Sequence, residues 1–186
     1  MTHELDEVFK TALEQFQIKG LSFTMEDLSS NMGISKKTLY EIIPSKEAVI
    51  NLIIHEARNS IKERQAEIFQ DDSLDVVTKI QCILKVVPKF HNIFTYKRLL
   101  EIKKSYPSLY QEIINLLNED WEPTFNLFNQ GIKEEKIKPI NLILFKEIFI
   151  SALTTVNEKS ITELEDISYK QLLNQIISIL FDGILL

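Results

Sequence analysis

Apolar residues recur over the first part of the chain with the spacing of one helix face. They fall at i, i+3, i+4, i+7, i+8 and i+11, which predicts an amphipathic helix that ends near Gly20. This face consists of Leu5, Val8, Phe9, Ala12, Leu13 and Phe16. Two shorter helical patterns flank Gly33, and a longer one runs from Ser45 to about Phe69. The pattern predicts a head of three helices followed by a longer connecting helix.

The two short helices carry polar residues at the positions where helices begin and end. Thr24 is followed three residues later by Asp27, which predicts a capping box. Gly33 can adopt the left-handed backbone that ends one helix sharply, and Ser35 can cap the next. Pro44 ends that second helix. A helix, a tight turn and a second helix form the geometry that places the second helix in the major groove of DNA.

The remaining residues show further apolar stripes with few glycines or prolines between them. Helices are expected over 74–88, 91–104, 107–134, 140–157 and 164–184. Asp72 or Ser73 is expected to cap the first of these helices, and Pro123 is expected to kink the long one. The sequence therefore predicts an all-α fold, with a helix-turn-helix domain at 1–47 and a second helical domain at 48–186.

Composition narrows the class of protein. With 186 residues, 45% of them apolar, the chain can bury one large core or two small ones. No run approaches the roughly 20 apolar residues of a membrane span, and the acidic start lacks a secretory signal, so we expect a cytoplasmic protein.

The three histidines lie far apart and no catalytic spacing is present, so we expect no enzyme, no metal and no cofactor. Cys82, the single cysteine, is expected to be a buried thiol.

Charge placement matters more than net charge for the predicted head. The chain carries a formal net charge of −6, and its first fifty residues hold five lysines against eight carboxylates. Around the second short helix the balance reverses, because Lys36, Lys37 and Lys46 are accompanied by Glu41 alone. Lysines at the start of a helix oppose its dipole, so this pair is easier to explain if an anion binds nearby. We therefore expect a locally positive surface that binds DNA phosphates.

The chain resembles the TetR family of transcriptional regulators in two short runs. These are Gly33-Ile34-Ser35-Lys36-Lys37-Thr38-Leu39-Tyr40 and Pro44-Ser45-Lys46-Glu47-Ala48. The resemblance covers roughly residues 4–60, and beyond them the match is one of length and helical pattern. It implies a DNA-contacting set that consists of Thr24, Ser35, Lys36, Lys37, Thr38, Tyr40 and Lys46. Within that set, Lys36 and Lys37 match the start of the helix that reads base edges, and the family's phosphate contacts match Thr24, Thr38, Tyr40 and Lys46.

The head departs from the family pattern at several positions. Acidic residues at Glu4, Asp6 and Glu7 stand where the family often has a basic residue, and Ile43 replaces a frequent aromatic. Glu41 would repel phosphate unless it faces the N4 donor of a cytosine or points away. A second interpretation therefore stays open, in which a TetR-like interaction or ligand-binding module has lost high-affinity DNA binding. A helical enzyme is a third alternative, for which the sequence offers no catalytic constellation.

The second half of the chain is rich in aromatic residues. Aromatic residues at helical spacing usually belong to a core, whereas the resemblance implies an internal ligand cavity. The candidates to line such a cavity are Phe90, Phe94, Tyr96, Trp121, Phe125 and Phe128. The resemblance and these residues together favour a small apolar or aromatic effector.

The last two predicted helices are apolar over more of their circumference than one buried stripe needs. We expect them to form a homodimer as a four-helix bundle, with Leu173 and Ile177 at its seam. Two-fold symmetry would match a palindromic operator on double-stranded DNA. The sequence thus predicts a ligand-responsive, dimeric regulator of transcription that acts as a repressor.

Overall fold

The structure is a computed structural model that describes residues 2–93, 96–158 and 169–186. Its helices are α1 (His3–Lys19), α2 (Met25–Asn31), α3 (Lys36–Ile42), α4 (Lys46–Gln70), α5 (Val76–Leu84), α6 (Tyr96–Ser105), α7 (Pro107–Asn118), α8 (Glu122–Lys133), α9 (Leu142–Glu158) and α10 (Tyr169–Ile184). Short 3-10 turns occupy Gly20–Ser22 and His91–Ile93. The predicted all-α fold with an N-terminal helix-turn-helix is confirmed.

The chain folds into two compact units. The first consists of residues 1–59 together with 90–111, and the second of residues 60–89 together with 112–186. Helices α4 and α7 therefore each contribute to both units. The predicted domains, 1–47 and 48–186, divide the chain by function: the first is expected to bind DNA, and the second to bind a ligand and to dimerise. That division stays a prediction.

Apolar residues of α1 to α4 form the core of the first unit. Phe16 at the end of α1 meets Phe23 edge to face, with ring centroids 6.5 Å apart, and both side chains are buried. Arg98 of α6 donates hydrogen bonds to the carbonyl oxygens of Gln17, at 2.6 Å, and Ile93, at 2.8 Å. The segment after residue 90 is therefore tied to the last turn of α1, in line with its place in the first unit.

Three phenylalanines from different helices meet at the centre of the second unit. The ring of Phe128 in α8 lies 4.8 Å from that of Phe145 in α9 and 6.2 Å from that of Phe181 in α10. The rest of this core consists of Val76, Ile80, Leu84, Ile137, Phe149, Ile150, Leu153, Leu173 and Ile177. Burial of large apolar side chains at about 25 cal/mol per Å² makes such a core the main source of the unit's stability.

Two predicted helix boundaries in the second unit are wrong. The helix after α4 is capped by Asp75, not by Asp72 or Ser73, because the Asp75 carboxylate accepts hydrogen bonds from the backbone N–H groups of Val77 and Thr78. That helix, α5, also ends at Leu84 and does not continue to residue 88. The residues between α4 and α5 instead form a turn, in which the Ser73 N–H donates to the Asp71 carboxylate at 3.0 Å.

The single long helix predicted over 107–134 is also wrong. Two helices, α7 and α8, are separated at Asp120, whose φ of +55° is left-handed and incompatible with a continuing helix. Pro123 lies in the first turn of α8, where its missing N–H costs no hydrogen bond. The proline therefore starts a helix and does not kink one.

The expected seam residues of a dimer belong to the core of the subunit. Leu173 and Ile177 are 2% and 1% exposed, so neither is available to a second chain. The outward apolar residues of these helices are instead Ile143, Leu144 and Ile148 on α9 and Ile179 on α10. Residues 164–168 of the last predicted helix lie outside the described residues.

The described residues contain neither a membrane span nor a cluster of metal ligands. None of their helices combines the length and apolar character that crossing a bilayer requires. The same residues contain no group of three or more His, Cys, Asp or Glu side chains arranged to hold a metal ion.

Candidate nucleic-acid interface

The predicted capping box at the start of α2 is confirmed. The Thr24 hydroxyl accepts a hydrogen bond from the Asp27 N–H at 3.1 Å, and the Asp27 carboxylate accepts one from the Thr24 N–H at 2.8 Å. Two backbone donors at the helix start are thereby satisfied. The Thr24 side chain is exposed, and its hydroxyl also helps to stabilise the Asp27 carboxylate.

Gly33 makes the turn between α2 and α3. Its φ of +68° is left-handed, and the N–H groups of Gly33 and Ile34 donate back to the carbonyl oxygens of Ser30, at 3.2 Å, and Ser29, at 3.0 Å. These bonds satisfy the last carbonyl groups of α2 in the manner of a left-handed helix end. The capping box and the glycine from which the helix-turn-helix was predicted therefore do form its first helix end and its turn.

Ser35 caps α3 and fixes the neighbouring threonine. Its hydroxyl accepts from the Thr38 N–H at 3.0 Å and lies 2.9 Å from the Thr38 hydroxyl. Leu39 anchors the helix with no exposed surface, whereas Lys37, Thr38 and Tyr40 are exposed. Tyr40 keeps half of its surface exposed, a large aromatic side chain facing outward on a helix of the head.

The two lysines of α3 differ in their surroundings. Lys36 forms an ion pair with Glu26 of α2, in which the Nζ to Oε2 distance is 2.8 Å. Lys37 has neither an ion pair nor a hydrogen-bond partner within the part of the chain that the structure describes. The ion pair braces α3 against α2, and Lys37 is the lysine of α3 whose charge is left available.

Lys46, at the start of α4, is engaged inside the first unit. Its ammonium donates a hydrogen bond to the carbonyl oxygen of Leu21 and lies 4.8 Å from the centroid of the Phe23 ring. Burial lowers the pKa of Lys46, and the nearby negative charge of Asp27 partly opposes that shift. Sequence reasoning assigned Lys46 to phosphate contact; the structure adds an internal role, because the ammonium joins α4 to the turn before α2.

Asp27 has the most strongly stabilised charge in this region. The hydrogen bond from the Lys19 ammonium, at 2.7 Å, is the main cause, and the Thr24 backbone N–H and hydroxyl add to it. Together they lower the pKa of the Asp27 carboxyl to about 2 from its ordinary 3.8. The carboxylate therefore stays ionised in the folded head at pH values where the unfolded chain has bound a proton.

Most residues of the predicted DNA-contacting set come together in the helix-turn-helix. Ser35, Lys36, Lys37, Thr38 and Tyr40 lie on or next to α3, while Thr24 and Lys46 lie at the starts of α2 and α4. Their roles toward DNA stay a prediction. Sequence reasoning missed Glu26 and Lys19, which hold Lys36 and Asp27, because ten and eight residues separate these partners and no local spacing rule links them.

The predicted ligand-contacting residues do not form one cluster. Phe90 belongs to the first unit, where its ring meets that of Phe9 at 5.6 Å. In the second unit the Trp121 ring lies 5.8 Å from the ring of Phe125 and 5.8 Å from that of Phe149. Phe128 is fully buried in the core. Phe94 lies outside the described residues, and only the backbone of Tyr96 is described.

We expect Asp27→Asn to change the response of the protein to acid. Because the folded-state pKa is lowered, the stability contributed by this carboxylate is complete above about pH 4 and is lost as the pH falls toward 2. The difference in melting temperature between the wild type and the variant should therefore shrink over that interval. Glu14→Gln is the control, since it removes an exposed carboxylate that has no partner among the described residues. A difference that stays constant from pH 5 to pH 2 would contradict the assignment.

Comparison with known proteins gives a consistent result for the fold. No profile of a known protein family matches the chain. An uncharacterised helix-turn-helix transcriptional regulator of Bacillus subtilis, YvaF, is 27% identical over 166 residues, which cover 89% of this chain and 87% of that protein. A transcriptional regulator from Cytophaga hutchinsonii superposes with a TM-score of 0.75 at 18% identity and full coverage of both chains. A TetR/AcrR-family regulator from Thermobifida fusca gives a TM-score of 0.73 at 18% identity over 98% of both chains. The chain therefore has the fold of the TetR family of transcriptional regulators, and the resemblance found in its sequence is confirmed.

Proposed function

We propose that this chain is a DNA-binding transcriptional regulator of the TetR type that represses genes in the cytoplasm in response to a small ligand. The observation that carries the proposal is the exposed face of α3, where Lys37, Thr38 and Tyr40 project from a helix held by the Gly33 turn. This is the geometry in which a recognition helix enters the major groove. The similarity to the helix-turn-helix regulator YvaF supports the same function.

The proposed contacts divide into phosphate and base contacts. Phosphate would be bound by Thr24, Thr38, Tyr40 and Lys46, and base edges would be read by Lys36 and Lys37. Ser35 would complete the DNA-binding set by holding Thr38 in place. Hydroxyl groups suit this role, because Tyr40 can donate to an anion, and Thr38 can do so when the Ser35 hydroxyl donates to it. Lys46 has three donor protons, so one can remain on Leu21 while another reaches a phosphate.

We expect Lys37→Ala and Tyr40→Phe to weaken DNA binding in different ways. Tyr40→Phe removes one phosphate hydrogen bond and should lower the affinity for all sequences by a similar factor. Lys37→Ala should in addition relax the preference for one base, at about 1–3 kcal/mol of discrimination. Lys133→Ala, an exposed lysine on α8, is the charge-matched control. Unchanged affinity in both head variants, measured by fluorescence anisotropy with the duplex upstream of the gene, would contradict the assignment.

A second candidate function is an interaction module that keeps the fold without binding DNA tightly. The charge of the head supports this alternative, since residues 1–50 contain five lysines and eight carboxylates. The salt dependence of binding separates the two, because phosphate contacts release counterions and specific contacts survive competitor DNA. In a gel-shift titration, retardation of the DNA that depends on salt and resists competitor DNA supports the regulator. The absence of such retardation supports the interaction module.

The dimer is proposed from the outward faces of α9 and α10. Ile143, Leu144 and Ile179 are 67%, 57% and 72% exposed, and Ile148 is 46% exposed. The same helices bury Phe145 and Ile177 in the core, so each is apolar on two faces. Exposed apolar patches of this kind mark interaction surfaces. Two helices from each subunit would form a four-helix bundle, and its two-fold axis would match a palindromic operator.

Paired charges on α9 should separate the dimer without unfolding the subunit. Leu144→Glu combined with Ile148→Glu places carboxylates four residues apart on one exposed helix face, where they repel each other and their symmetry mates. Light scattering should then show a monomer at micromolar concentration, and operator binding should be lost. Ile18→Glu, at a position 74% exposed on α1, is the matched control. If the double variant is still a dimer, the interface does not lie on this face of α9. If the wild type is a monomer, the proposed dimer is wrong.

We propose that the effector is a small apolar or aromatic molecule and that it contacts Trp121 and Phe125. Both side chains are partly exposed, and Trp121 packs against the second core, whereas Phe128 is fully buried within it. The Trp121 indole N–H donates to the Leu117 carbonyl oxygen at 2.8 Å, which satisfies its polar atom and leaves the ring for apolar contact.

Trp121 provides the measurement, because it is the single tryptophan of the chain. We expect fatty acids or substituted benzenes that bind there to quench its fluorescence and to raise the melting temperature, since a ligand of the folded state stabilises it. Phe125→Ala should weaken both effects for the same ligand. A broad panel that changes neither fluorescence nor melting temperature would show that side chains fill this region.

A further inference from the structure

The outward side of α3 is marked by a lysine and a glutamate. A helix turns by about 100° per residue, so positions two residues before and two residues after a buried anchor point away from it. Leu39 is that anchor, with no exposed surface, and the two positions are occupied by Lys37 and Glu41. Both side chains are exposed. If this helix enters the major groove, Leu39 faces the protein, and Lys37 and Glu41 face the bases.

Neither of these two charges has a partner in the part of the chain that the structure describes. Lys36, their neighbour, is paired with Glu26, but Lys37 and Glu41 have no ion pair or hydrogen bond among residues 2–93, 96–158 and 169–186. They are four residues apart on one helix, yet no ion pair joins them, in keeping with the weaker order in which the lysine precedes the glutamate. Two charges of opposite sign are thus both available at the surface.

The chemistry of a carboxylate limits what Glu41 can bind. An ionised carboxylate offers only acceptors, and phosphate offers none of the donors that it needs. On the base edges of the major groove the donors are the exocyclic amines, and a carboxylate pairs with the N4 amine of cytosine. A lysine pairs with O6 and N7 of guanine.

Resting on the proposed DNA binding, we infer that Glu41 is a specificity-determining residue that accepts a hydrogen bond from the N4 amine of a cytosine in each half-site. Lys37 lies one helical turn earlier and donates to a guanine beside it. Four residues of α-helix span about 6 Å, and bases are stacked about 3.4 Å apart, so the guanine and the cytosine lie within about two base steps. A residue that weakens general attraction to phosphate thereby sharpens the choice of sequence.

Selection of bound duplexes from a random double-stranded DNA pool tests this inference with the full-length protein. The wild type should enrich a motif with one cytosine in each half-site that depends on Glu41. Glu41→Ala should lose the preference at that position alone, with a roughly 5- to 150-fold drop in discrimination against other bases. Glu41→Gln keeps the size of the side chain and should shift the preference at the same position toward adenine, the partner of glutamine. Glu14→Ala, an exposed carboxylate on α1, should leave the motif unchanged.

Two different failures have different meanings. If the Glu41→Ala and wild-type motifs are identical and the variant binds every sequence more tightly by the same factor, Glu41 only repels phosphate and the inference is overturned. If the folded wild type enriches no motif at all, the proposed DNA binding fails, and the inference falls with it. Melting curves of all variants establish that each is folded, and the exposed position of Glu41 leaves the core untouched.

Discussion

The backbone of Gly33 sets the angle between α2 and α3, and every contact proposed for α3 depends on that angle. Its φ of +68° would strain a residue with a Cβ atom, although nothing lies within 4 Å of the place where that atom would be. The constraint is therefore one of backbone conformation and not of space, worth about 1–2 kcal/mol for an ordinary residue. A shift in this turn would displace Lys37 and Tyr40 together without altering either side chain.

Polar contacts at the helix ends fix the elements on both sides of that turn. Asp27 joins the end of α1 to the start of α2, because its carboxylate binds the Lys19 ammonium and the Thr24 N–H. Lys46 joins the start of α4 to the carbonyl oxygen of Leu21 in the same region. The apolar core holds the helices together, but these directional bonds decide where each helix begins. Since α3 lies between two elements fixed in this way, little freedom is left to its exposed face.

Sequence reasoning succeeded where one short segment contained all the groups involved. The box at Thr24 and Asp27, the turn at Gly33 and the cap at Ser35 each depend on residues five or fewer positions apart. It failed where a proline or an apolar residue had two possible roles. Pro123 suits the first turn of a helix as well as a kink, and the left-handed Asp120 before it decided the outcome. Leu173 and Ile177 fit a dimer seam by periodicity, but α10 is apolar on two faces, and packing assigned these residues to the subunit core.

The ion pairs of the head limit the number of lysines that are available to bind phosphate. Lys10, Lys19 and Lys36 each pair with a carboxylate of the same region. Surface pairs of this kind add little stability, but they remove cations from the set that phosphate can attract. Counterion release scales with the number of phosphates neutralised, so the sequence-independent part of binding must be small. A head built in this way would depend on hydrogen bonds at base edges for most of its affinity, and it would lose little by carrying a carboxylate such as Glu41 on the same face.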